Sequence, residues 1–321
     1  MAQLYSSIPS QKCQGEIEVL RDKDERGKER PWHVRKLENQ YISAAYAEFN
    51  SGKAARVGGC AEALLFTRCS DNGRLKLKQA AFCRVRLCPV CAWRRSLKTH
   101  AHMSKILAAA APQDLSYMMI TLTLRNCRGS ELSATLDKLI GGFKLLTKRK
   151  AVAAAWRGWY RGVEVTHNLE NDTFHPHIHA LVAVNKSYFT SAAYIKQAEL
   201  ARMWREVCKL DYDPVIDIRK CYKQTVNAVS EVAKYTTKTA DIVCFDDWDF
   251  TVSTLQLLDA AFDKRRFIAY GGLFKELHKQ LNLDDTEDGD LVNVGDGDDD
   301  QIDSAAEWLY WWHTGYARYI R

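Results

Sequence analysis

The segment His175–Val184 constrains the fold more than any other part of the chain. Its first five residues, His-Pro-His-Ile-His, alternate imidazole rings with other side chains and lead directly into Ala-Leu-Val-Ala-Val. Successive side chains of a strand point to opposite faces, so a strand here places the three rings on one face and Ile178 with Ala180 on the other. Imidazole is the commonest metal ligand, and the pattern therefore predicts a metal site. The alternative is a polar strand face that merely contains histidine.

A second predicted strand, at residues 160–166, supplies a carboxylate. Glu164 alternates with two valines, so its side chain points to the face opposite theirs. A turn-rich segment joins this strand to the histidine strand as a hairpin, which places Glu164 beside His177 and His179. Two imidazoles and a carboxylate leave coordination positions open for substrate, and this mixture of ligands favours Mn²⁺ or Mg²⁺.

The cysteines predict a second metal centre. Cys83 lies five residues before Cys88-Pro-Val-Cys91, a turn that brings two thiolates to one side of a tight loop. The fourth ligand is either Cys60 or Cys69, and Cys60 is preferred because the two glycines before it suit a tight turn. Four protein ligands make a closed, structural Zn²⁺ site. The alternative is a redox-active cysteine pair.

The charge of the chain predicts a polyanionic partner. Residues 284–303 hold ten carboxylates and no Lys or Arg, so the formal net charge of +6 becomes +16 on the other 301 residues. A body this basic attracts nucleic acid. The side chains predicted to contact DNA are Arg94, Arg95 and Lys98 beside the cysteines, and Arg125 and Asn126 at the end of a strand. The alternative for the first three is a solvated helix face.

The segment Glu231-Val-Ala-Lys-Tyr235-Thr-Thr-Lys238 carries a further set of reactive groups. On a helix, residues three and four apart share a face, so Glu231, Tyr235 and Lys238 lie side by side. A nearby ammonium group and a metal that polarises a phosphate both make a phenol a better nucleophile. The alternative is an ordinary amphipathic helix with an exposed Glu–Lys face.

The order of predicted elements indicates an α+β fold. From residue 117 the order is β-α-β-β-α-β-α, which is that of a ferredoxin-like antiparallel sheet with helices. The polar start and the absence of a long apolar run disfavour secretion and membrane spanning, so we expect a cytoplasmic protein. The predicted segments are an N-terminal segment (1–54), a zinc-binding element (55–100), a central α+β domain (101–245) and a helical C-terminal extension (246–321) with an acidic loop at 284–303.

Four blocks in a fixed order carry a resemblance to a known family. They are Phe82–Lys98 with its CPxC turn, Thr121–Asn126, Phe174–His179, and Glu231-x-x-x-Tyr235-x-x-Lys238. Together they resemble the replication initiator (Rep) proteins of rolling-circle plasmids, within the HUH endonuclease superfamily. The resemblance spans roughly residues 55–275.

The resemblance implies an origin-specific nicking and joining enzyme. Tyr235 would attack the scissile phosphate at a hairpin of the plasmid double-strand origin and become linked to the 5′ phosphate. His177 and His179 would hold the metal with an acidic partner, for which Glu164 is the candidate. Glu231 would activate water to end the cycle, and Lys238 would stabilise charge on the phosphate or phenolate.

The freed 3′ hydroxyl would prime synthesis by a host polymerase, with a host helicase as a further partner and self-association as an open possibility. Two other functions stay open at this point. One is a conjugative relaxase or single-strand transposase with the same chemistry. The other is a non-catalytic, zinc-stabilised DNA-binding regulator.

Overall fold

The computed structural model describes residues 17–70, 73–221, 239–295 and 302–321, with only the backbone of 302–305. Its helices are α1 (Trp32–Ala47), α2 (Ser51–Gly58), α3 (Pro89–Ala110), α4 (Leu132–Leu146), α5 (Lys150–Ala155), α6 (Gln197–Val207), α7 (Trp248–Phe262) and α8 (Leu273–Gln280). Its strands are β1 (Ala63–Cys69), β2 (Leu75–Ala80), β3 (Leu115–Thr123), β4 (Trp156–Asn168), β5 (Thr173–Asn185), β6 (Ile216–Cys221), β7 (Ile268–Gly272), β8 (Ile302–His313) and β9 (Arg318–Ile320).

The central sheet has five strands in the order β6-β3-β5-β4-β7, and every neighbouring pair is antiparallel. This confirms the predicted α+β class with an antiparallel sheet. The predicted order of elements is observed from β3 to β6. The helix predicted after β6, with Glu231, Tyr235 and Lys238, lies outside the described residues.

The two faces of the central sheet are covered differently. On one face Ile178, Ala180 and Val182 of β5 are fully buried in the main core, to which helices α4, α6 and α7 contribute. On the other face Leu181 and Ala183 pack into a second cluster with residues of α3 and α8. These helices cover the apolar end of β5 on that face, and the histidine end of the same strand face carries the polar site described below.

A second antiparallel sheet has the order β2-β1-β8-β9. Its third strand contains the aromatic run at residues 308–312, in which buried Tyr310 and Trp312 alternate with exposed Leu309 and Trp311. That period of two is the pattern of a half-buried strand. The C-terminal extension therefore contains helices α7 and α8 but ends in strands, which corrects the prediction of a helical extension.

The same sheet joins segments that the sequence-based division separates. β1 and β2 lie in the predicted zinc-binding element, whereas β8 and β9 lie in the predicted C-terminal extension. Val19 adds an isolated antiparallel bridge to Ile320 at the far edge. The two ends of the described chain thus meet around the cysteine element.

Candidate active site and metal centres

Glu164, His177 and His179 converge on one point of the central sheet. In the β4–β5 hairpin Glu164 lies directly opposite His177, and His179 is two residues along on the same face. Oε2 of Glu164 lies 3.4 Å from Nε2 of His177 and 3.3 Å from Nε2 of His179. One ligand atom from each of the three residues lies within 4.8 Å of the ligand atoms of the other two. The three side chains can therefore hold a divalent cation.

The histidine rings are oriented by their second nitrogen atoms. Nδ1 of His177 lies 3.0 Å from the carbonyl oxygen of His175, and Nδ1 of His179 lies 3.2 Å from Oγ1 of Thr121. A carbonyl oxygen only accepts, so Nδ1 of His177 donates its proton and leaves Nε2 to bind a cation. Thr121 is a site residue that the sequence reasoning missed. Its register opposite His179 in the β3–β5 pairing is the signal that identifies it.

His175 lies outside this group of ligands. Its Nδ1 lies 2.7 Å from Oδ1 of Asn126, an exposed residue just beyond β3. The neighbouring Arg125 stacks its guanidinium group 3.8 Å from the ring centre of Tyr212. Both residues predicted to contact DNA at this strand end are therefore exposed beside the histidine strand.

The carboxylate of Glu164 is held ionised by its neighbours. Burial by itself would raise the pKa of Glu164, but the hydrogen bonds with His177 and His179 outweigh it and lower the pKa from 4.5 to about 2. A carboxylate that stays charged at this point supplies the negative charge that a divalent cation requires.

This lowered pKa predicts a loss of stability in acid. A group whose pKa is lower in the folded chain stabilises the fold above its unfolded pKa and loses that contribution as the pH falls through the folded value. For the metal-free protein, the free energy of unfolding due to Glu164 should fall by about 3 kcal/mol between its ordinary pKa of 4.5 and about 2. Urea unfolding of the wild type and Glu164→Gln across this range measures it. Parallel curves for the two proteins would contradict the prediction.

Four cysteines form the second group. Sγ of Cys91 lies 3.5 Å from Sγ of Cys60 and 3.7 Å from Sγ of Cys83, and Cys88 completes the cluster. The structure thus brings Cys60 to the CPxC turn, while Cys69 lies in β1 outside this cluster. Four convergent sulfur atoms are the donor set of a closed tetrahedral site.

Backbone amides and helix α1 support the cysteine cluster. The N–H of Cys83 points at Sγ of Cys60, and the N–H of Arg84 at Sγ of Cys91, at 3.4 and 3.3 Å. The ammonium group of buried Lys36 donates to the carbonyl oxygen of Cys60 at 2.8 Å, and Oδ1 of Asn39 lies 3.2 Å from Sγ of Cys88. These contacts between protein groups help to hold the four sulfur atoms close together.

Arg94 and Lys98 of α3 do not face solvent, contrary to the prediction. Arg94 and Lys98 are buried, and their donors contact residues 284–292: Arg94 donates to the carbonyl oxygens of Leu291 and Val292, and Lys98 forms an ion pair with Asp284. Nε of Arg95 donates to the carbonyl oxygen of Glu287 at 2.9 Å. Backbone carbonyl oxygens of residues 287–292 and the carboxylate of Asp284 therefore accept from these three side chains, which corrects the prediction of DNA contact for Arg94 and Lys98.

The chain is similar in sequence to known replication proteins. The chain is 39% identical to a "Protein rep" of Bacillus amyloliquefaciens, with 99% of each chain covered. It is 37% identical to a "Protein rep" of Streptococcus pneumoniae, covering 97% of this chain and 98% of that protein. A "Replication protein" of Staphylococcus aureus is 33% identical over 66% of this chain and 95% of its own length.

No solved structure matches the chain. Among the described residues, no helix combines the length and apolar character needed to cross a membrane. A family model described as replication protein matches residues 74–320, and this match covers both metal-ligand groups except Cys60. The chain therefore belongs to the Rep family of plasmid replication proteins.

Proposed function

We propose that the chain initiates rolling-circle replication of a plasmid by nicking and rejoining one strand of origin DNA. The observation that carries the proposal is the Glu164–His177–His179 group on paired strands of an antiparallel sheet. Its ring orientations, set by His175 and Thr121, are those of metal ligands with outer hydrogen-bond partners. Three protein ligands leave coordination positions open for substrate, which favours an enzyme over a non-catalytic regulator. Membership of the Rep family favours replication over conjugation or transposition.

The residues of the hairpin hold the cation and orient the DNA. Glu164, His177 and His179 would bind Mn²⁺ or Mg²⁺, which when bound polarises a phosphate oxygen and makes the phosphorus more electrophilic. We assign the chain to the HUH endonucleases because the histidines lie on a central strand of the antiparallel sheet. Arg125 and Asn126, exposed beside these histidines, are placed to contact the strand that is cut.

Tyr235 is the proposed nucleophile. Its phenolic oxygen attacks the scissile phosphorus and loses its proton, the bond from phosphorus to the 3′ oxygen breaks, and that oxygen gains a proton. The result is a 5′-phosphotyrosine link and a free 3′ hydroxyl for a host polymerase. Glu231 then activates the water that ends the cycle, and Lys238 stabilises the developing charge.

The cysteine cluster is proposed to bind a structural Zn²⁺ ion. Its four thiol groups fill a tetrahedral shell and leave no position for substrate. We also propose that the protein works in the cytoplasm with a host helicase and DNA polymerase, where thiols stay reduced and free to bind metal.

Covalent capture tests the proposed function. A labelled single-stranded DNA library of random sequence, incubated with the protein and Mn²⁺, should transfer its label to the chain in a form stable to denaturation. Mass spectrometry of the labelled peptide should place the DNA on Tyr235. No covalent label, or a label on another residue, would contradict the proposal, and label without added divalent metal would contradict the metal's role.

A further inference from the structure

A basic groove lies at the end of the second sheet. It has a volume of about 520 Å³. The lining comes from residues 17–23, from the facing ends of β1 and β2, and from Tyr310 of β8. Four cationic side chains from these separate stretches of chain line it, namely Arg21, Lys23, Arg68 and Arg74. None of them belongs to either metal centre or to the proposed nicking site.

The wall that carries Arg21 and Lys23 is fixed in place. The N–H of buried Leu20 donates to the carbonyl oxygen of Tyr319 at 2.9 Å, and buried Asp22 accepts a 2.7 Å hydrogen bond from Nε1 of Trp32. Side chains alternate along an extended segment, so anchoring residues 20 and 22 inward turns Arg21 and Lys23 outward. Both cations are exposed.

The groove keeps its positive charge. Its one acidic lining residue, Glu18, accepts hydrogen bonds from the hydroxyl group of Tyr310 at 2.8 Å and from Nε of Arg321 at 2.6 Å, so a cation outside the lining already balances it. Exposed Glu25 forms an ion pair with Arg74 at 3.9 Å. By contrast, Arg94, Arg95 and Lys98 of α3 already donate to residues 284–292, so the groove offers a polyanion positive charge that these three side chains do not.

The groove offers phosphate contacts but no surface for base stacking. Tyr310 is only 2% exposed, and the ring of Trp308 beside it is covered by the guanidinium group of Arg68 at 4.9 Å. Proteins that bind single strands stack bases on open aromatic rings, whereas guanidinium and ammonium groups position the backbone of a duplex. We propose that this groove binds the phosphate backbone of duplex DNA, apart from the site that cuts a single strand. The assignment rests on the proposed function, because it supplies the duplex contact that an origin-nicking enzyme needs.

Paired charge reversals test the groove. Arg21→Glu/Lys23→Glu should bind a short labelled duplex of arbitrary sequence at least about tenfold more weakly, and should lower the slope of log affinity against log salt concentration by about 2, one for each lost phosphate contact. Fluorescence anisotropy at several salt concentrations measures both. Lys275→Glu/Lys279→Glu, on the exposed side of α8, makes the same change in net charge and should stay within about twofold of wild type at physiological salt. Thermal unfolding checks that both variants are folded.

Covalent capture of the single-stranded library distinguishes the remaining outcomes. Both charge-reversal variants should form the Tyr235 adduct as the wild type does. Equal duplex affinity in the groove variant and its control would overturn the assignment. Loss of the adduct together with duplex binding would also overturn it, because the groove would then serve the strand that is cut. A wild type that formed no adduct would contradict the proposed function. In that case the duplex affinities of the variants would still test the assignment of the groove.

Discussion

Glu164→Ala is expected to lower the rate of adduct formation by about a thousandfold or more. The carboxylate contributes the negative charge of the Glu164–His177–His179 group, and its loss leaves two neutral ligands facing a divalent cation. Metal ions contribute several kcal/mol to stabilising the transition state, and each 1.4 kcal/mol corresponds to a factor of ten in rate. Calorimetric titration with Mn²⁺ and single-turnover capture of labelled DNA measure the two effects, with Tyr235→Phe as the zero reference.

The matched control is Glu170→Ala. Glu170 lies at the exposed turn of the same hairpin, so its removal changes the net charge equally without touching the metal group. We expect it to bind Mn²⁺ and form the adduct as the wild type does. If Glu164→Ala kept both activities, the metal would have to be bound elsewhere. If both variants lost them alike, the effect would be one of charge and not of ligation.

Cys60→Ala is expected to prevent binding of the proposed zinc ion and to unfold the cysteine element, whereas Cys69→Ala should leave both unchanged. Structural Zn²⁺ contributes about 10–16 kcal/mol of apparent binding energy in zinc-finger peptides, and three thiolates cannot close the shell. Both cysteines are buried, so the two variants remove the same side chain from similar surroundings. Cys69 is not a proposed metal ligand, so Cys69→Ala should lower the free energy of unfolding by only about 1 kcal/mol.

The loss should extend to the central sheet. Helix α3 begins at the CPxC turn, with Cys88 as its N-cap, and its later residues Met103 and Ile106 pack on the face of the sheet that carries Leu181. Zinc content by mass spectrometry, thermal unfolding and DNA capture should therefore fall together in Cys60→Ala. Equal zinc content in both variants, or zinc lost only from Cys69→Ala, would contradict the assignment of Cys60.

Local patterns predicted the parts of the site that depend on neighbours in sequence. The alternation around His177 and His179 indicated their shared face, and the short turn before them indicated the hairpin that brings Glu164 alongside. The CPxC spacing likewise placed three of the four thiols together. Strand periodicity and tight turns are properties of a few consecutive residues, so they can be identified without knowing the rest of the fold.

Contacts between distant segments were not predictable in the same way. Arg94 and Lys98 look like a DNA-binding face, yet residues nearly two hundred positions later bury them and supply their acceptors. Thr121 became a site residue only through the register of β3 against β5. The sequence around a basic or polar side chain does not indicate which distant residue will contact it in the folded chain.

The sequence by itself determined the chemistry of both ligand groups, because the residue types and their local spacing limit what each can bind. Only the tertiary structure decided which basic side chains are buried and where the two ends of the described chain lie. It paired β8 with β1 and laid the acidic residues 284–292 along α3. Such pairings follow from the burial of apolar faces and the matching of charges across the whole chain, which no short stretch of sequence specifies.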